Sequence, residues 1–415
     1  MQNKTKIVIV GNGFGGIYTL KNLHKLLHGN TNFEISLIGE KNYFLFTPLL
    51  HEVATGSINR ANIVEPIRKV LDCCLHNFYL GKADEINVDD HIVKVGEHTL
   101  SYDYLVLAPG AETNFYKTTG AEENSLTLKS LEDAVKIKNK IIGQVERASN
   151  ITNRERRGKM LAFTIIGGGP TGVELAAEIQ ELLKENLSRY FKKEIIQDTS
   201  VIIIQKGEDL LTQFSKKLRT RSLNFLRKKG IEVLLNTEVK AVDKDYILIN
   251  DEKTIETETV IWTAGIKPKT LNFKQEILKV SDGRVVVNSY LQLENHPHVF
   301  ALGDYAAFKD ETTGLVLPAL AQVAEKEAKI VARNIYLAMQ NKELKKFTYK
   351  NSGSMVSLGQ WMAIGEISNF SFWGHLTWWM WRTVYLSKLI SFRKKVRVAL
   401  DWTLNIFSPR DISEF

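Results

Sequence analysis

The sequence of 415 residues predicts an α/β fold made of two units of the same kind, followed by a helical tail. Three observations support this prediction. An apolar run at residues 7–10 breaks into glycines and resumes with helical spacing, and the pattern returns over residues 160–179. Later apolar runs that end in glycine indicate that the second unit is inserted within the first. From Trp373 onward, the composition shifts toward tryptophan and basic residues.

Composition limits the class of protein. At about 150 residues per domain, the chain has room for two or three domains. Its hydrophobic content of 44% and charged content of 25% are typical of a soluble globular protein. The formal net charge of +8 raises the question of a nucleic-acid or membrane partner, which only the distribution of charge can answer.

Targeting and redox signals point to the cytoplasm. Cys73 and Cys74 are adjacent, so they form neither a disulfide framework nor a spaced redox pair, and this usage fits a reducing compartment. The first strand begins within six residues of Met1, so we expect no signal or transit peptide.

The first glycine motif, GNGFGG, directly follows the strand at residues 7–10. Gly11 allows a tight turn, Gly13 lets the backbone approach a pyrophosphate, and Gly16 lets the new helix pack on the sheet. The next strand ends at Glu40, where a carboxylate can accept hydrogen bonds from a ribose. A glycine-rich turn without a ligand is the alternative, but the strand, helix and acid together favour a dinucleotide site.

The second glycine motif, GGGPTG at residues 167–172, lies about 155 residues further along the chain. Two such units imply two dinucleotides. At the end of its second strand stand Gln205 and Lys206, where an acid is expected. An amide can bind a ribose and lysine can contact a 2′-phosphate, so the choice between NADH and NADPH stays open at this point.

Other segments predict local structure. We expect helices at residues 17–27, 66–71 (with Pro66 as first residue) and 122–140, a β meander through residues 90–95, and strands at 102–110, 201–204, 260–265 and 299–304. Residues 42–50 are aromatic and fit either a flat ring ligand or ordinary core. The domains are then 1–112 and 260–345 for the first unit, 113–259 for the inserted unit, and 346–415 for the tail.

Three polar residues are candidates for chemistry. Asp304 ends a short strand and can reach the sugar-like chain of a flavin. Residues 317–322 predict a helix whose positive N-terminus stabilises a reduced flavin and whose Gln322 orients a carbonyl acceptor. Glu174 can steer protons or the nicotinamide amide; the alternative is an acid in the first helical turn that complements the helix dipole.

The tail predicts an interfacial helix or hairpin. Apolar residues recur at steps of three or four, while basic residues interrupt them too often for a membrane span. From Trp373 onward there are seven basic and three acidic residues, which suits an anionic membrane and argues against a diffuse nucleic-acid surface. A dimer interface or core helix is the alternative. The apolar positions are Trp378, Trp381, Tyr385, Leu389, Phe392, Val396, Ala399, Trp402 and Ile406.

These motifs, with TAG at 263–265, GD at 303–304, TPLL at 47–50 and AQVA at 321–324, resemble the type II NADH:quinone oxidoreductases. The resemblance covers the whole chain. It implies two Rossmann-like domains, with FAD on the first, a nicotinamide nucleotide on the second, and Glu174 and Gln322 at a quinone pocket. The cofactor-binding residues that it implies are Gly11, Gly13, Phe14, Gly15, Gly16, Glu40, Thr47, Pro48, Ala108, Gly110, Gly167, Gly169, Pro170, Thr171, Gly172, Gln205, Ala264, Gly265, Gly303, Asp304 and Ala321.

The resemblance also implies a reaction and partners. A hydride passes from NADH to FAD, and the electrons pass to menaquinone or ubiquinone without proton pumping, at the cytoplasmic side of the cell membrane. We expect an anionic membrane surface as a partner, no nucleic acid and no metal, with a homodimer left open. Gln205 and the Glu325-Lys326 pair depart from the family pattern, which bears on the nucleotide and quinone types.

Other functions remain as alternatives. A sulfide:quinone oxidoreductase or a disulfide reductase needs redox cysteines that Cys73 and Cys74 do not supply. A soluble ferredoxin or rubredoxin reductase fits if the tail is a dimerisation arm. A scaffold protein that keeps its nucleotide sites is a fourth possibility.

Overall fold

The computed structural model describes residues 4–70, 75–250, 253–368 and 370–413. Cys73 and Cys74 lie outside the described residues, so the prediction about them rests on sequence alone. The chain divides into two compact units. Unit 1 comprises Met1–Leu45, Val64–Glu112 and Ile266–Lys350, and unit 2 comprises Phe46–Ile63, Thr113–Gly265 and Asn351–Phe415.

The helices vary from single turns to eighteen residues. In chain order they are α1 (Phe14–Leu27), α2 (Leu50–Val53), α3 (Ile67–Val70), α4 (Ala121–Asn124), α5 (Leu131–Ala148), α6 (Arg154–Met160), α7 (Pro170–Glu181), α8 (Lys193–Gln197), α9 (Lys216–Lys228), α10 (Ala321–Ala338), α11 (His375–Lys388) and α12 (Phe392–Phe407). Short 3₁₀ turns cover Thr47–Leu49, Arg60–Asn62, Leu187–Arg189 and Gly303–Tyr305, and a π turn covers Leu182–Asn186.

The strands are mostly short. In chain order they are β1 (Thr5–Val10), β2 (Phe33–Gly39), β3 (Tyr43–Leu45), β4 (Val64–Pro66), β5 (Asn77–Leu80), β6 (Glu85–Asn87), β7 (Ile92–Val95), β8 (His98–Ser101), β9 (Tyr104–Leu107), β10 (Ala111–Thr113), β11 (Leu126–Thr127), β12 (Ala162–Ile166), β13 (Ser200–Ile204), β14 (Ile231–Leu234), β15 (Val239–Val242), β16 (Tyr246–Ile249), β17 (Lys253–Glu256), β18 (Thr259–Trp262), β19 (Ile266–Pro268), β20 (Val285–Val287), β21 (Gln292–Leu293), β22 (His296–Ala301), β23 (Ala306–Phe308), β24 (Ser354–Ser357), β25 (Ala363–Ile367) and β26 (Phe370–Gly374).

Unit 1 is organised around an eight-stranded sheet in the order β23-β20-β21-β22-β9-β1-β2-β5. Strands β22, β9, β1, β2 and β5 run parallel, so their carboxyl ends lie along one edge. Both faces of the central strands are covered, which explains the continuous apolar run at the end of β1. Helices α1 and α10 pack along each other, and β6, β7 and β8 form the expected antiparallel meander.

Unit 2 repeats this plan on a smaller scale. Its parallel sheet has the order β11-β18-β12-β13-β14, and a three-stranded antiparallel sheet, β15-β16-β17, follows in the chain. Residues of both sheets meet in one apolar cluster, in which Trp262, Ile204 and Ile247 are buried. Each glycine motif therefore has its own parallel sheet.

The tail packs as part of unit 2. Strands β24, β25 and β26 form an antiparallel sheet against which α11 packs, and α12 follows after a break at residues 389–391. Among the described residues, no helix combines the length and the apolar character needed to cross a membrane.

Several predicted boundaries were wrong for local reasons. Helix α1 begins at Phe14 and not at residue 17, because the glycine motif itself supplies the first turn. Pro66 ends β4 rather than starting a helix. The helix expected at 122–140 is interrupted by β11, and α5 begins only after Ser130, whose side chain and that of Asp133 form a capping box.

The predicted apolar stripe of the tail was also wrong as a single surface. Trp378, Trp381 and Trp402 are buried inside unit 2, whereas Phe392 and Val396 are exposed. The spacing of the apolar residues predicted one continuous face. The tail instead forms two helices, α11 and α12, and each has one face buried against the protein and another exposed.

Candidate functional site

The first glycine turn is built around three close contacts that a side chain would block. A Cβ on Gly11, where φ is +103°, would lie 2.0 Å from the carbonyl oxygen of Ala108. A Cβ on Gly16 would lie 1.8 Å from the carbonyl oxygen of Gly11, and one on Gly15 would lie 2.9 Å from the Ala108 side chain. Gly13, the N-cap of α1, is different, because a Cβ there meets nothing within 4 Å. The turn therefore leaves open space before the N-terminus of α1.

An asparagine and an acid complete this end of the sheet. The Asn12 amide donates hydrogen bonds to the carbonyls of Lys41 (2.6 Å) and Tyr43 (3.0 Å), which ties the glycine turn to the chain beyond β2. Glu40 lies directly after β2 and accepts from Lys269 Nζ at 2.6 Å. Glu40 is therefore at the predicted strand end, but with a cation already paired to it.

The Gly303-Asp304 turn follows β22 in the same unit. Gly303 has a φ of +68°, and its N–H donates to the Glu327 carboxylate at 2.6 Å. Burial raises the pKa of Glu327 to about 8, with the nearby Asp304 adding to the shift. A buried acid on α10 thus fixes the turn that carries Asp304.

Gln322 occupies the first turn of α10. The helix begins at Ala321, so the expected start at residue 317 was wrong. Leu320, the N-cap, supplies no side-chain hydrogen bond to the helix end. The N–H groups of Val323 and Ala324 donate to the Leu320 carbonyl at 2.9 and 3.1 Å, and the positive end of the helix dipole at this turn favours a negatively charged acceptor. Gly110, with a φ of +79°, likewise has open space where a Cβ would be.

The second glycine turn, in unit 2, repeats the geometry of the first. A Cβ on Gly167 would lie 2.9 Å from the Thr263 hydroxyl and the Ala264 nitrogen, and one on Gly172 would lie 2.1 Å from the Gly167 carbonyl oxygen. Gly169, the N-cap of α7, again has open space. Pro170 and Thr171 form the first helical positions after it.

Gln205 stands at the end of β13, and its side chain holds this turn. Its Oε1 accepts from the Gly168 N–H at 2.8 Å. Lys206 pairs with Glu238 at 2.7 Å, so a 2′-phosphate would compete with that carboxylate. Gly265, after β18, has a φ of +88°, and a Cβ there would lie 2.1 Å from the Tyr116 hydroxyl oxygen.

The predicted aromatic segment is mostly core. Phe44 and Phe46 are buried, and Phe14 packs edge-on against Phe44 with ring centroids 5.1 Å apart. Thr47 is exposed and Pro48 is half-buried, in the 3₁₀ turn that precedes α2. For the aromatic rings at 44 and 46, the core interpretation was the correct one.

Glu174 lies on the buried side of α7. It is the fifth helical residue, so the alternative role as a first-turn partner of the helix dipole was wrong. Its Oε1 accepts from the Ser357 N–H at 3.1 Å, and its Oε2 lies 3.8 Å from His51 Nδ1. Burial raises the pKa of Glu174 well above its usual value, and Glu52 and Glu178 add to that shift.

A network of buried charges surrounds Glu174. Glu178, one turn further along α7, accepts from Ser57 Oγ at 2.8 Å and from Thr55 Oγ1 at 3.2 Å. Arg410 Nη1 lies 2.8 Å from Glu178, and Arg410 Nη2 lies 3.2 Å from Glu181. Lys229 also forms an ion pair with Glu181. The tail therefore supplies a cation that pairs with two buried acids of α7, and Lys229 supplies a second cation to Glu181.

Neighbouring acids in this network differ in protonation. Burial raises the pKa of Glu52 to about 8, and the charge of Glu178 adds to the shift. Burial also raises the pKa of Glu178, but Arg410 and His51 outweigh it, so the net pKa is lowered. Burial lowers the pKa of His51 to about 4. At neutral pH the network contains a neutral acid, a carboxylate and a neutral imidazole side by side.

Family models match nearly the whole described chain. The model described as pyridine nucleotide-disulphide oxidoreductase matches residues 5–328, and the NDH2 C-terminal domain model matches residues 351–411. The second model covers the tail, which the glycine motifs do not characterise. The chain belongs to the type II NADH:quinone oxidoreductase family.

Similar proteins agree with this assignment. The chain is 33% identical to a type II NADH:quinone oxidoreductase from Mycobacterium tuberculosis, over 98% of this chain and 89% of the relative. It is 32% identical to a probable NADH dehydrogenase from Dictyostelium discoideum, over 99% and 91%. The fold matches that of NDH2 from Plasmodium falciparum, solved in complex with NADH, with a TM-score of 0.92 at 23% identity, over 99% of this chain and 100% of that one.

FAD and NADH are the cofactors of a member of this family. The residues fit both groups, because each unit has a tight glycine turn with an open N-cap position, at Gly13 and at Gly169. A dinucleotide pyrophosphate needs just such space in front of unpaired helix N–H groups. FAD supplies the chemistry of accepting a hydride and releasing electrons.

Sequence reasoning missed the residues that support these turns. Glu327 and the acids at 178 and 181 lie on otherwise apolar helix faces, and acids at such positions are a usable signal. Asn12 and Arg410 gave no local signal, because their partners are distant in the sequence.

Proposed function

We propose that this chain transfers a hydride from NADH to FAD and then passes the electrons to a membrane quinone without pumping protons. The match of residues 351–411 to the NDH2 C-terminal domain carries this proposal, because it adds a quinone-reductase tail to two dinucleotide units. It also argues against a soluble ferredoxin or rubredoxin reductase as the alternative.

FAD is assigned to unit 1. The open position at Gly13 receives the pyrophosphate, Glu40 binds the adenosine ribose, and Asp304 binds the ribityl chain. The N-terminus of α10 then stabilises negative charge on the reduced ring. Gln322, in the first turn of that helix, donates a hydrogen bond to a quinone carbonyl.

NADH is assigned to unit 2. Gly169 provides the open position for its pyrophosphate, and Gln205 borders the ribose. Because Gln205 carries no negative charge, a 2′-phosphate meets less repulsion than it would beside an acid. We propose a preference for NADH that is weaker than a carboxylate would give.

The membrane is assigned to α11 and α12. One stripe of α12 is apolar and exposed, at Phe392, Val396, Leu400, Leu404 and Phe407. Arg393 and Arg397 are exposed on the same helix, and Lys394 and Lys395 are half-buried. Such a helix lies in the interface with its basic residues toward anionic head groups, as on the cytoplasmic leaflet.

Steady-state kinetics with several donors and acceptors test this function. Flavin-loaded protein should oxidise NADH with menaquinone or ubiquinone analogues, and more slowly with NADPH. Turnover with a ferredoxin or rubredoxin but with no quinone would contradict the proposal. If protein that binds both nucleotides shows no turnover with any of these acceptors, the scaffold alternative is favoured.

A further inference from the structure

We propose that Glu238 is the residue that selects against NADPH in the nucleotide site of unit 2, and that Lys206 and Lys240 are the groups that a 2′-phosphate contacts once the Glu238 carboxylate is removed. The proposal rests on the proposed function, which assigns NADH to unit 2. It adds a specificity-determining acid on a different loop from the strand end at which an acid is expected.

The adenosine end of this site lies at the carboxyl end of β13. In a dinucleotide-binding unit, an acid at the end of the second strand accepts a hydrogen bond from the ribose 2′-hydroxyl and repels a 2′-phosphate. Here that position is Gln205, whose Oε1 already accepts from the Gly168 N–H at 2.8 Å. The strand end therefore contributes no negative charge, and Lys206 beside it adds a positive one.

The turn that carries Glu238 lies directly against this strand end. The Thr237 N–H donates to the Gln205 carbonyl at 3.0 Å. Asn250 fixes Glu238 through two further hydrogen bonds, because its side chain accepts from the Glu238 N–H at 2.8 Å and its own N–H donates to the Glu238 carbonyl at 2.9 Å. The backbone of Glu238 is thus held beside the end of β13.

Two lysines converge on the Glu238 carboxylate. Lys206 Nζ donates to Oε1 at 2.7 Å, and Lys240 Nζ donates to Oε2. These hydrogen bonds lower the pKa of Glu238 to about 2, so the carboxylate is ionised at neutral pH. The side chains are 75% exposed for Lys206, 39% for Glu238 and 47% for Lys240. A ligand can therefore reach all three groups from solvent.

This arrangement discriminates between nucleotides by charge. Two ammonium groups that share one anion can also bind a phosphate, and the Glu238 carboxylate occupies the place of that anion. A 2′-phosphate on a ribose at Gln205 must displace the carboxylate and is repelled by it, whereas the 2′-hydroxyl of NADH carries no charge. Because water and salt screen exposed charges, the discrimination should be moderate.

Three variants separate this local effect from a change in net charge. Glu238→Gln keeps the size of the side chain and removes its charge, and adding Lys206→Gln removes the cation beside it. Asp245→Asn is the matched control, because Asp245 pairs with Lys159 at 2.6 Å in the same unit. Lys159 precedes β12, so this pair lies at the opposite end of the parallel sheet from Gln205.

Calorimetric titration of the flavin-loaded protein with 5′-AMP and with adenosine 2′,5′-bisphosphate measures the effect, because these probes differ only in the 2′-phosphate. In Glu238→Gln, the ratio of the two affinities should shift toward the bisphosphate by about tenfold, and the shift should shrink in high salt. The double variant Glu238→Gln and Lys206→Gln should return close to the wild-type ratio. Asp245→Asn should show the wild-type ratio.

Stopped-flow reduction of the flavin by NADPH gives a second readout. The effect of Glu238→Gln should appear as a fall of about tenfold in the NADPH concentration that gives half of the maximal rate. It should not appear in the limiting rate, because the 2′-phosphate is remote from the nicotinamide ring and contributes only to binding.

The proposal is wrong if Glu238→Gln leaves the affinity ratio unchanged, or if Asp245→Asn shifts it equally, because the effect is then one of net charge. A shift that persists in the double variant would overturn the assignment of Lys206. Failure of the proposed function has a different signature: the wild-type protein binds the adenosine probes, but NADH does not reduce its flavin. The titration still decides the role of Glu238 in that case, because it needs no turnover.

Discussion

Arg410 Nη1 lies 2.8 Å from Glu178 Oε2, and this buried ion pair joins the end of the chain to helix α7. The same guanidinium reaches Glu181, so one cation serves two buried acids. The tail is therefore part of the packing of unit 2 and not an appended anchor. This relationship changes how the tail can be tested, because deleting residues 373–415 would also remove the buried Trp381 and Arg410 from the packing of unit 2.

We expect Arg410→Ala to destabilise unit 2 by about 3–5 kcal/mol, because it leaves Glu178 buried without its ion-pair partner and leaves Glu181 with Lys229 alone. Arg410→Lys keeps the charge but loses the fork that reaches both acids, so its cost should be intermediate. Urea unfolding of FAD-loaded protein measures both. The exposed Arg397→Ala is the control and should change stability by less than about 0.5 kcal/mol. Equal changes in the free energy of unfolding for Arg410→Ala and Arg397→Ala would show that the Arg410–Glu178 ion pair does not contribute to stability.

The acids of this network predict opposite pH dependences of stability. The folded pKa of Glu178 is lowered, so its contribution is present above about 4.5 and is lost as pH falls through the folded value. The folded pKa of Glu52 is raised to about 8, so its contribution is present below about 4.5 and is lost as pH rises through about 8.

Glu52→Gln should therefore gain stability relative to wild type as pH rises from about 5 to about 9, by an amount on the order of a few kcal/mol. Unfolding free energies at a series of pH values provide the measurement. A difference between the two proteins that does not vary with pH would show that Glu52 titrates alike in the folded and unfolded chain.

Much of the two proposed dinucleotide sites could be predicted from the sequence, because a glycine turn is formed mainly by residues that are close together in the chain. The blocked positions at Gly11 and Gly16 depend on residues in the same turn and on Ala108, which directly follows the neighbouring strand β9. The buried network could not be predicted in this way. Residues 51–57, the acids of α7 and Arg410 are far apart in the sequence, and only packing brings them together. Periodicity also did not tell which tail tryptophans face the protein.

Gly13→Val should abolish FAD retention. The added side chain projects into the space in which the pyrophosphate is proposed to lie, and it meets no protein atom within 4 Å at Cβ, so the fold should tolerate it. The absorbance ratio of flavin to protein after purification reports the effect. A yellow and fully active variant would remove Gly13 from the FAD site.

Glu327→Ala should weaken FAD binding by about tenfold, because the Gly303 N–H loses its buried acceptor and the turn that carries Asp304 loosens. Glu327→Gln retains an oxygen acceptor and is the matched control. Fluorescence titration of FAD into apoprotein compares the two variants. Similar affinities for both would mean that the turn does not depend on this hydrogen bond.

Gln205→Glu should sharpen the preference for NADH over NADPH by about ten- to a hundredfold, since a carboxylate repels a 2′-phosphate. The substitution keeps an acceptor for the Gly168 N–H, so the turn should persist. The ratio of kcat/KM values for the two donors is the test. An unchanged ratio would place Gln205 away from the ribose.

Substituting acidic residues into the exposed apolar stripe of α12 tests whether this helix binds the membrane. The double variant Leu400→Asp and Phe407→Asp should bind anionic vesicles about ten- to a hundredfold more weakly, because two apolar side chains leave the interface. The control pair, Leu80→Asp and Leu278→Asp, adds the same charge at exposed apolar positions of unit 1. Flotation with anionic vesicles measures the binding. If the α12 double variant changes the sedimentation coefficient of the protein but not its flotation with vesicles, the stripe is a homodimer interface.

The most direct test of the account is anaerobic stopped-flow absorbance of the wild-type protein, mixed first with NADH and then with a soluble quinone. NADH should bleach the flavin, and one equivalent of quinone should restore its absorbance. In Gln322→Ala, the bleaching rate should be unchanged and the recovery with quinone slowed. Flavin that stays reduced in the presence of quinone, or a Gln322→Ala variant slowed only in its reaction with NADH, would contradict the account.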